Sequence, residues 1–138
     1  MSHLTTLKTE LRNLNSLMAA LGRLGYTCQV DGRIADYFGN EQQVDLAVEI
    51  PGQRAVGFVR NRASGVLDLV GDWWHAKLTQ QEFLDGIKCN YAREQVLESL
   101  QNQGVDLSTV REVEEEDGTI LFEVPIDDNQ LRAMTAGG

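Results

Sequence analysis

Between Arg54 and Trp74 the chain reads RAVGFVRNRASGVLDLVGDWW, and few folds accommodate such a run. Two apolar arms, Ala55–Arg60 and Val66–Gly71, flank the polar turn Asn61–Gly65. Branched and aromatic residues bounded by Gly and Ser form a strand signature. Successive side chains leave a strand on opposite faces, so both arms can present apolar groups to one side. The first arm is apolar on both faces, which predicts a central strand covered by helices on at least one side. Gly57 and Gly71 sit inside these strands, where Gly marks a bulge or a close approach. The expectation is that each makes room for an overlying helix side chain, rather than for a ligand. Trp73 and Trp74 point to opposite faces if the strand runs through them. One then joins the core and the other sits at the rim, where an exposed Trp makes a good interaction anchor.

The flanking chain supplies the rest of an α+β domain. Residues 3–10 read as a strand from their Thr content. Leu14, Leu17, Met18, Leu21 and Leu24 predict a helix over residues 14–24, capped by Asn13 or Asn15 and stopped by Gly25. Tyr26–Val30 alternates as a strand and turns at Asp31-Gly32. Arg33–Asn40 is ambiguous: a short irregular strand, or an excursion whose Tyr37 and Phe38 line a groove or plug the core. Gln43–Ile50 reads as one strand, turned by Pro51-Gly52. Thr79 with Glu82 forms a capping box for a helix running to about residue 102, which Gly86 kinks or divides. Gly104 ends it. A loose strand over Val105–Val113, an acidic turn at Glu114–Gly118 and a strand over Thr119–Pro125 follow.

The architecture expected from this pattern is α+β: a single antiparallel sheet with two main helices packed on one face, in βαβββαββ order. Leu14–Val30 and Val96–Val113 both read as helix, glycine stop and strand, each followed by an Asp-Gly turn. That echo suggests internal duplication of a helix–strand–strand unit. Residues 1–126 form one domain by length, and 127–138 a mobile tail.

Charge narrows the partners. The 138 residues carry a formal net charge of −9, with a pI of about 4.6. That works against nucleic acid and anionic membranes as partners. The acid is concentrated late: residues 111–138 hold eight acids, among them Glu114, Glu115 and Glu116, against Arg111 and Arg132. A protein partner with a basic face fits this better than a polyanion; a plain solvated surface is the commoner meaning of such a run. No apolar run reaches the length of a membrane-spanning helix, and the N-terminus lacks the pattern of a signal peptide. Cys28 and Cys89 form no C-x-x-C motif and read as reduced, mostly buried thiols of a cytosolic protein.

The chain has no phosphate-binding Gly-rich loop, nucleophile elbow or zinc spacing. Of His3 and His75, the latter is the better acid–base candidate, though a surface residue between strand and helix is the commoner meaning. Glu112–Asp117 lacks the alternation of an EF-hand loop. No catalytic, cofactor-binding or metal-binding residues are assigned. The residues singled out for interaction are Trp73, Trp74, His75, Tyr37, Phe38, Glu114, Glu115 and Glu116.

The start MSHLTTLKTEL, the helix exit LGY, the segment VGFVRN…LDLVGDWW, the helix YAREQVLESLQNQG and the run EEDGTILFEV, in that order, resemble a family of small cyanobacterial and plastid-encoded proteins. It is known as hypothetical chloroplast open reading frame thirty-five, a domain of unknown function. The resemblance spans residues 1–126 and is weakest over Gly32–Gln43. It implies a photosynthetic lineage and a cyanobacterial cytoplasmic or stromal location, and it carries over no reaction, cofactor or catalytic residue. Three functions follow in order: a binding or assembly accessory protein, a homo-oligomer using a sheet face or edge, and a small-ligand or enzyme domain. The last would need a pocket between sheet and helices near Tyr37, Phe38, Trp74 and His75.

Overall fold

The computed structural model describes residues 3–117 and 119–125. In chain order the elements are β1 (Thr5–Leu7), α1 (Leu14–Arg23), β2 (Thr27–Val30), β3 (Arg33–Ala35), β4 (Glu41–Gln43), β5 (Leu46–Glu49), β6 (Val56–Arg60), β7 (Leu67–Gly71), α2 (Gln80–Asn102), a short 3-10 turn (Leu107–Thr109), β8 (Arg111–Glu114) and β9 (Ile120–Glu123). The chain divides after Glu94 into two compact units.

The first unit is built on a five-stranded antiparallel sheet in the order β1-β7-β6-β5-β2. The β6–β7 hairpin lies at its centre, with Phe58 opposite Leu69 and also opposite Leu46 of β5. Leu46, Val48, Val56, Phe58, Leu67 and Leu69 share one face and are fully buried. They pack with Leu17 and Leu21 of α1 and with Phe83, Leu84 and Ile87 from the first turns of α2. Both helices therefore press on the same face, as the sequence suggests. Phe83 is the hub: its ring stacks at 6.4 Å on Phe58 and meets the edge of Tyr26 at 5.4 Å. Each such side chain contributes roughly 1.5–3 kcal/mol on leaving water.

Local chemistry sets the helix ends. The Ser16 N–H donates to Asn13 Oδ1 at 3.0 Å, capping α1. The Glu82 N–H donates to Thr79 Oγ1 at 3.1 Å, and the Thr79 hydroxyl donates to the Glu82 carboxylate. Helix α2 runs unbroken past Gly86.

Among the described residues the single sheet expected from the sequence is corrected to three: the five-stranded sheet and the two-stranded pairs β3–β4 and β8–β9. Six strands, not three, lie between the helices. The reason lies at Asp31-Gly32 and Val44-Asp45. The β2–β5 ladder runs to Val30–Leu46, then continues through Asp31 N–H to Asp45 O and Val44 N–H to Gly32 O. It then resumes as β3–β4. Asp31 takes a positive φ of 54° at the bend. The hairpin folds back and sets Ile34 and Val44 on the second face of the sheet, against Ala47 and Val70. Gly57 is the slot for this flap. A Cβ there would lie 2.6 Å from Val44 Cγ1. The overlying group is thus a strand-flank valine rather than a helix side chain. Gly71 likewise makes room for Val56 and for the Trp73 indole.

The second unit holds the end of α2, the 3-10 turn and the β8–β9 hairpin. That hairpin pairs Val113 with Leu121 and closes through Glu115 N–H to Thr119 O. The echo between the two helix exits is real at the caps. Gly25 and Gly104 both have φ of 85°, and the next residue's N–H reaches back to Leu21 O and Leu100 O, each at 3.0 Å. It ends there: β2 pairs with β5 of a larger sheet, whereas among the described residues β8 pairs with β9 alone. The expected tail, residues 127–138, lies outside the described residues.

Candidate interaction site

Trp73 and Trp74 part company at the end of β7. Trp73 is half-buried against the helix-side core, its ring 5.6 Å from Phe83. Its indole N–H is buried without a hydrogen-bond partner among the described residues. Trp74 turns outward and stays 40% exposed. There it meets Tyr37 edge to face, with ring centroids 4.6 Å apart and planes at 81°. Phe38 stands at 86° to Tyr37 at 5.2 Å, and the His75 ring lies 4.1 Å from Trp74. Tyr37 and Phe38 are 52% and 68% exposed. Two loops distant in sequence therefore place Tyr37, Phe38, Trp74 and His75 on one surface, an aromatic shelf.

Two buried carboxylates hold the shelf. Asp72 accepts the Tyr37 N–H at 2.8 Å through Oδ2 and the Trp74 N–H at 3.0 Å through Oδ1. Asp36 accepts the N–H groups of Phe38 and Asn40 at Oδ1 and the Asn40 side-chain amide at Oδ2, each at 2.9 Å. The Asn40 amide, helped by the two backbone N–H groups, holds the Asp36 carboxyl below its ordinary range. Burial and the neighbouring Asp72 charge push the other way without prevailing. Arg54 completes the frame. Its guanidinium sits 4.9 Å over the Tyr37 ring and donates from Nη1 to Trp74 O at 2.7 Å. His75 holds a φ of 61°, unusual for a residue with a side chain.

An open groove of about 560 Å³ adjoins the shelf, lined by Gly52, Gln53, Arg54 and His75. A second hollow of about 320 Å³, lined in part by Thr27, Glu49 and Pro51, shares Gln53 with it. The space between sheet and helices is filled by Phe58, Phe83, Leu17 and Leu21. Tyr37, Phe38, Trp74 and His75, expected around a pocket there, converge at the surface instead. Among the described residues no cluster of three or more His, Cys, Asp or Glu side chains could hold a metal ion, and no helix is long and apolar enough to cross a membrane. Glu114, Glu115 and Glu116 are exposed on β8 and its turn, in the second unit.

Sequence reasoning missed Asp36, Asp72 and Arg54. The first two were visible in principle, because an Asp whose carboxylate takes a backbone N–H two residues on is a recognised turn former. Asp36–Phe38 and Asp72–Trp74 both have that spacing. The reach of Asp72 to Tyr37 had no local signal.

The family described as a protein of unknown function, DUF1257, matches residues 20–122. A relative in Cyanophora paradoxa, called uncharacterized protein ycf35, is 31% identical over 126 residues, covering 90% of this chain and 96% of the relative. One of the same name in Pyropia yezoensis is 29% identical over 123 residues, covering 87% and 93%. No solved structure matches the chain significantly. Full-length similarity of this order, together with the matching family, places the chain by descent: it belongs to the DUF1257 family, the cyanobacterial and plastid proteins of hypothetical chloroplast open reading frame thirty-five.

Proposed function

We propose that this protein is a binding or assembly accessory module of photosynthetic cells, and that the aromatic shelf is its contact surface. One observation carries the reading: three exposed aromatic side chains are fixed in place before any partner arrives. Large apolar groups on a monomer surface mark interaction sites, and Trp and Tyr dominate binding energy where they occur. Rigid aromatics lose little side-chain entropy on binding, so preorganisation converts contact area into affinity. The exposed Glu114–Glu116 run favours, for any contact it makes, a partner with a basic face.

Homo-oligomerisation through a bare sheet face is the weaker reading, since the β3–β4 flap lies on that face. A small-ligand role would have to use the open groove beside His75, which offers little enclosure.

Capture from a lysate of photosynthetic cells tests the proposal, using wild-type protein beside Trp74→Ala and Phe38→Ala variants with unchanged melting temperatures. A partner retained by the wild type and lost in both variants is the expected result. Equal retention by all three removes the shelf as the contact.

A further inference from the structure

The net charge of −9 points toward basic partners, but the charge at the shelf does not. Both carboxylates of the shelf face inward and are occupied by N–H groups: Asp72 by those of Tyr37 and Trp74, Asp36 by those of Phe38 and Asn40. None of the residues that line the adjoining groove, Gly52, Gln53, Arg54 and His75, is acidic. Arg54 gives one N–H to Trp74 O, lies over the Tyr37 ring and has no carboxylate partner among the described residues. His75 borders the same groove, and Lys77, exposed two residues on, also has no carboxylate partner among the described residues. Glu49 belongs to the other hollow.

Shape narrows the occupant further. The shelf presents aromatic rings at steep angles to one another, beside an open groove rather than a deep cavity. An exposed aromatic shelf beside an open groove can receive an extended segment, whose apolar side chains rest on the rings while its backbone runs along the groove. An Arg beside such a groove selects a carboxylate, through a fork geometry that matches two oxygens.

We infer that the shelf receives an extended segment of a partner protein that sets an apolar residue on Trp74 and Tyr37 and a carboxylate on Arg54. This rests on the shelf being the contact surface. It adds that the contacting segment is acidic, opposite to what the net charge suggests.

The test is panning of a random peptide library displayed on phage against the full chain, followed by fluorescence anisotropy with the most enriched peptide. Enriched sequences are expected to pair an apolar or proline anchor with a nearby Asp or Glu. Arg54→Gln, checked for an unchanged melting temperature, is expected to weaken binding by about tenfold, and Arg54→Lys by less. Replacing the acidic residues of the peptide with lysine is expected to abolish binding. Basic consensus sequences overturn the inference, as does failure to enrich any peptide, or an affinity unmoved by Arg54→Gln. Self-association lost in Trp74→Ala overturns it too, by making a second copy the occupant. If lysate capture depends on Trp74 while the panned peptides are basic, the shelf stands and only its acidic partner falls.

Discussion

Asp72 reaches Tyr37 across 35 residues of sequence and takes its backbone N–H at 2.8 Å. The same carboxylate holds Trp74, so one buried group sets the spacing of the two rings. Replacing Asp72 with Ala leaves both N–H groups without that acceptor in a largely dry place. A cost of roughly 2–3 kcal/mol is expected from such charged hydrogen bonds. Urea unfolding measures it, and near-ultraviolet circular dichroism should show the Trp74–Tyr37 pair loosened. An Asp72→Asn variant, which keeps oxygen at one position only, should fall between.

The carboxyl of Asp36 is held below its ordinary range, first by the Asn40 side chain. Its pKa is therefore lower folded than unfolded. The stabilisation it gives is complete above the unfolded value of about 3.9 and fades as pH falls through the folded value. Acid should thus release the 36–40 loop. Chemical shifts of the Phe38 and Asn40 amides, followed from pH 6 downward, should move together with the Asp36 titration. Asp36→Asn should remove that shared transition.

Gly57 faces Val44 where no Cβ fits. A Gly57→Ala substitution should cost about 1–3 kcal/mol, because the flap must lift or the strand shift. Adding Val44→Ala should restore only part of the loss, since it removes both Cγ atoms but leaves the Val44 Cβ 2.8 Å from the new methyl. Thermal unfolding of the two single variants and the double variant measures the coupling; strictly additive losses would contradict the slot.

The tryptophans should behave as opposites. Trp73→Ala should destabilise by about 3 kcal/mol, since it removes a ring packed on Phe83. Trp74→Ala should cost less than Trp73→Ala, because its ring is 40% exposed and packs on Tyr37 and His75 at the surface rather than on the core. Iodide quenching should act on the fluorescence of Trp74 and spare that of Trp73.

Periodicity made the helices and the central hairpin readable, because each depends on neighbours in sequence. Leu14–Leu21 and Phe83–Ile87 announce their buried faces by spacing alone. The flap was unreadable for the complementary reason. Gln43–Ile50 alternates as if it were one strand, and only the pairing of Asp45 with Phe58 O and the room at Gly57 reveal a bend. The convergence of Tyr37 with Trp74 also follows from that bend, so the residues could be named while their meeting could not. Two of the strands missed between the helices, β3 and β4, are only three residues each, too short for alternation to register.

The tip Asp36–Asn40 is closed by its own side chains, while the β3–β4 strands that carry it lie on finished core. A segment so arranged can be rewritten without disturbing the hydrophobic interior, much as a tool bit is changed in a fixed chuck. Divergence among family members in what they recognise should therefore concentrate at positions 37 and 38, with Asp36, Gly57 and Asp72 holding still beneath them.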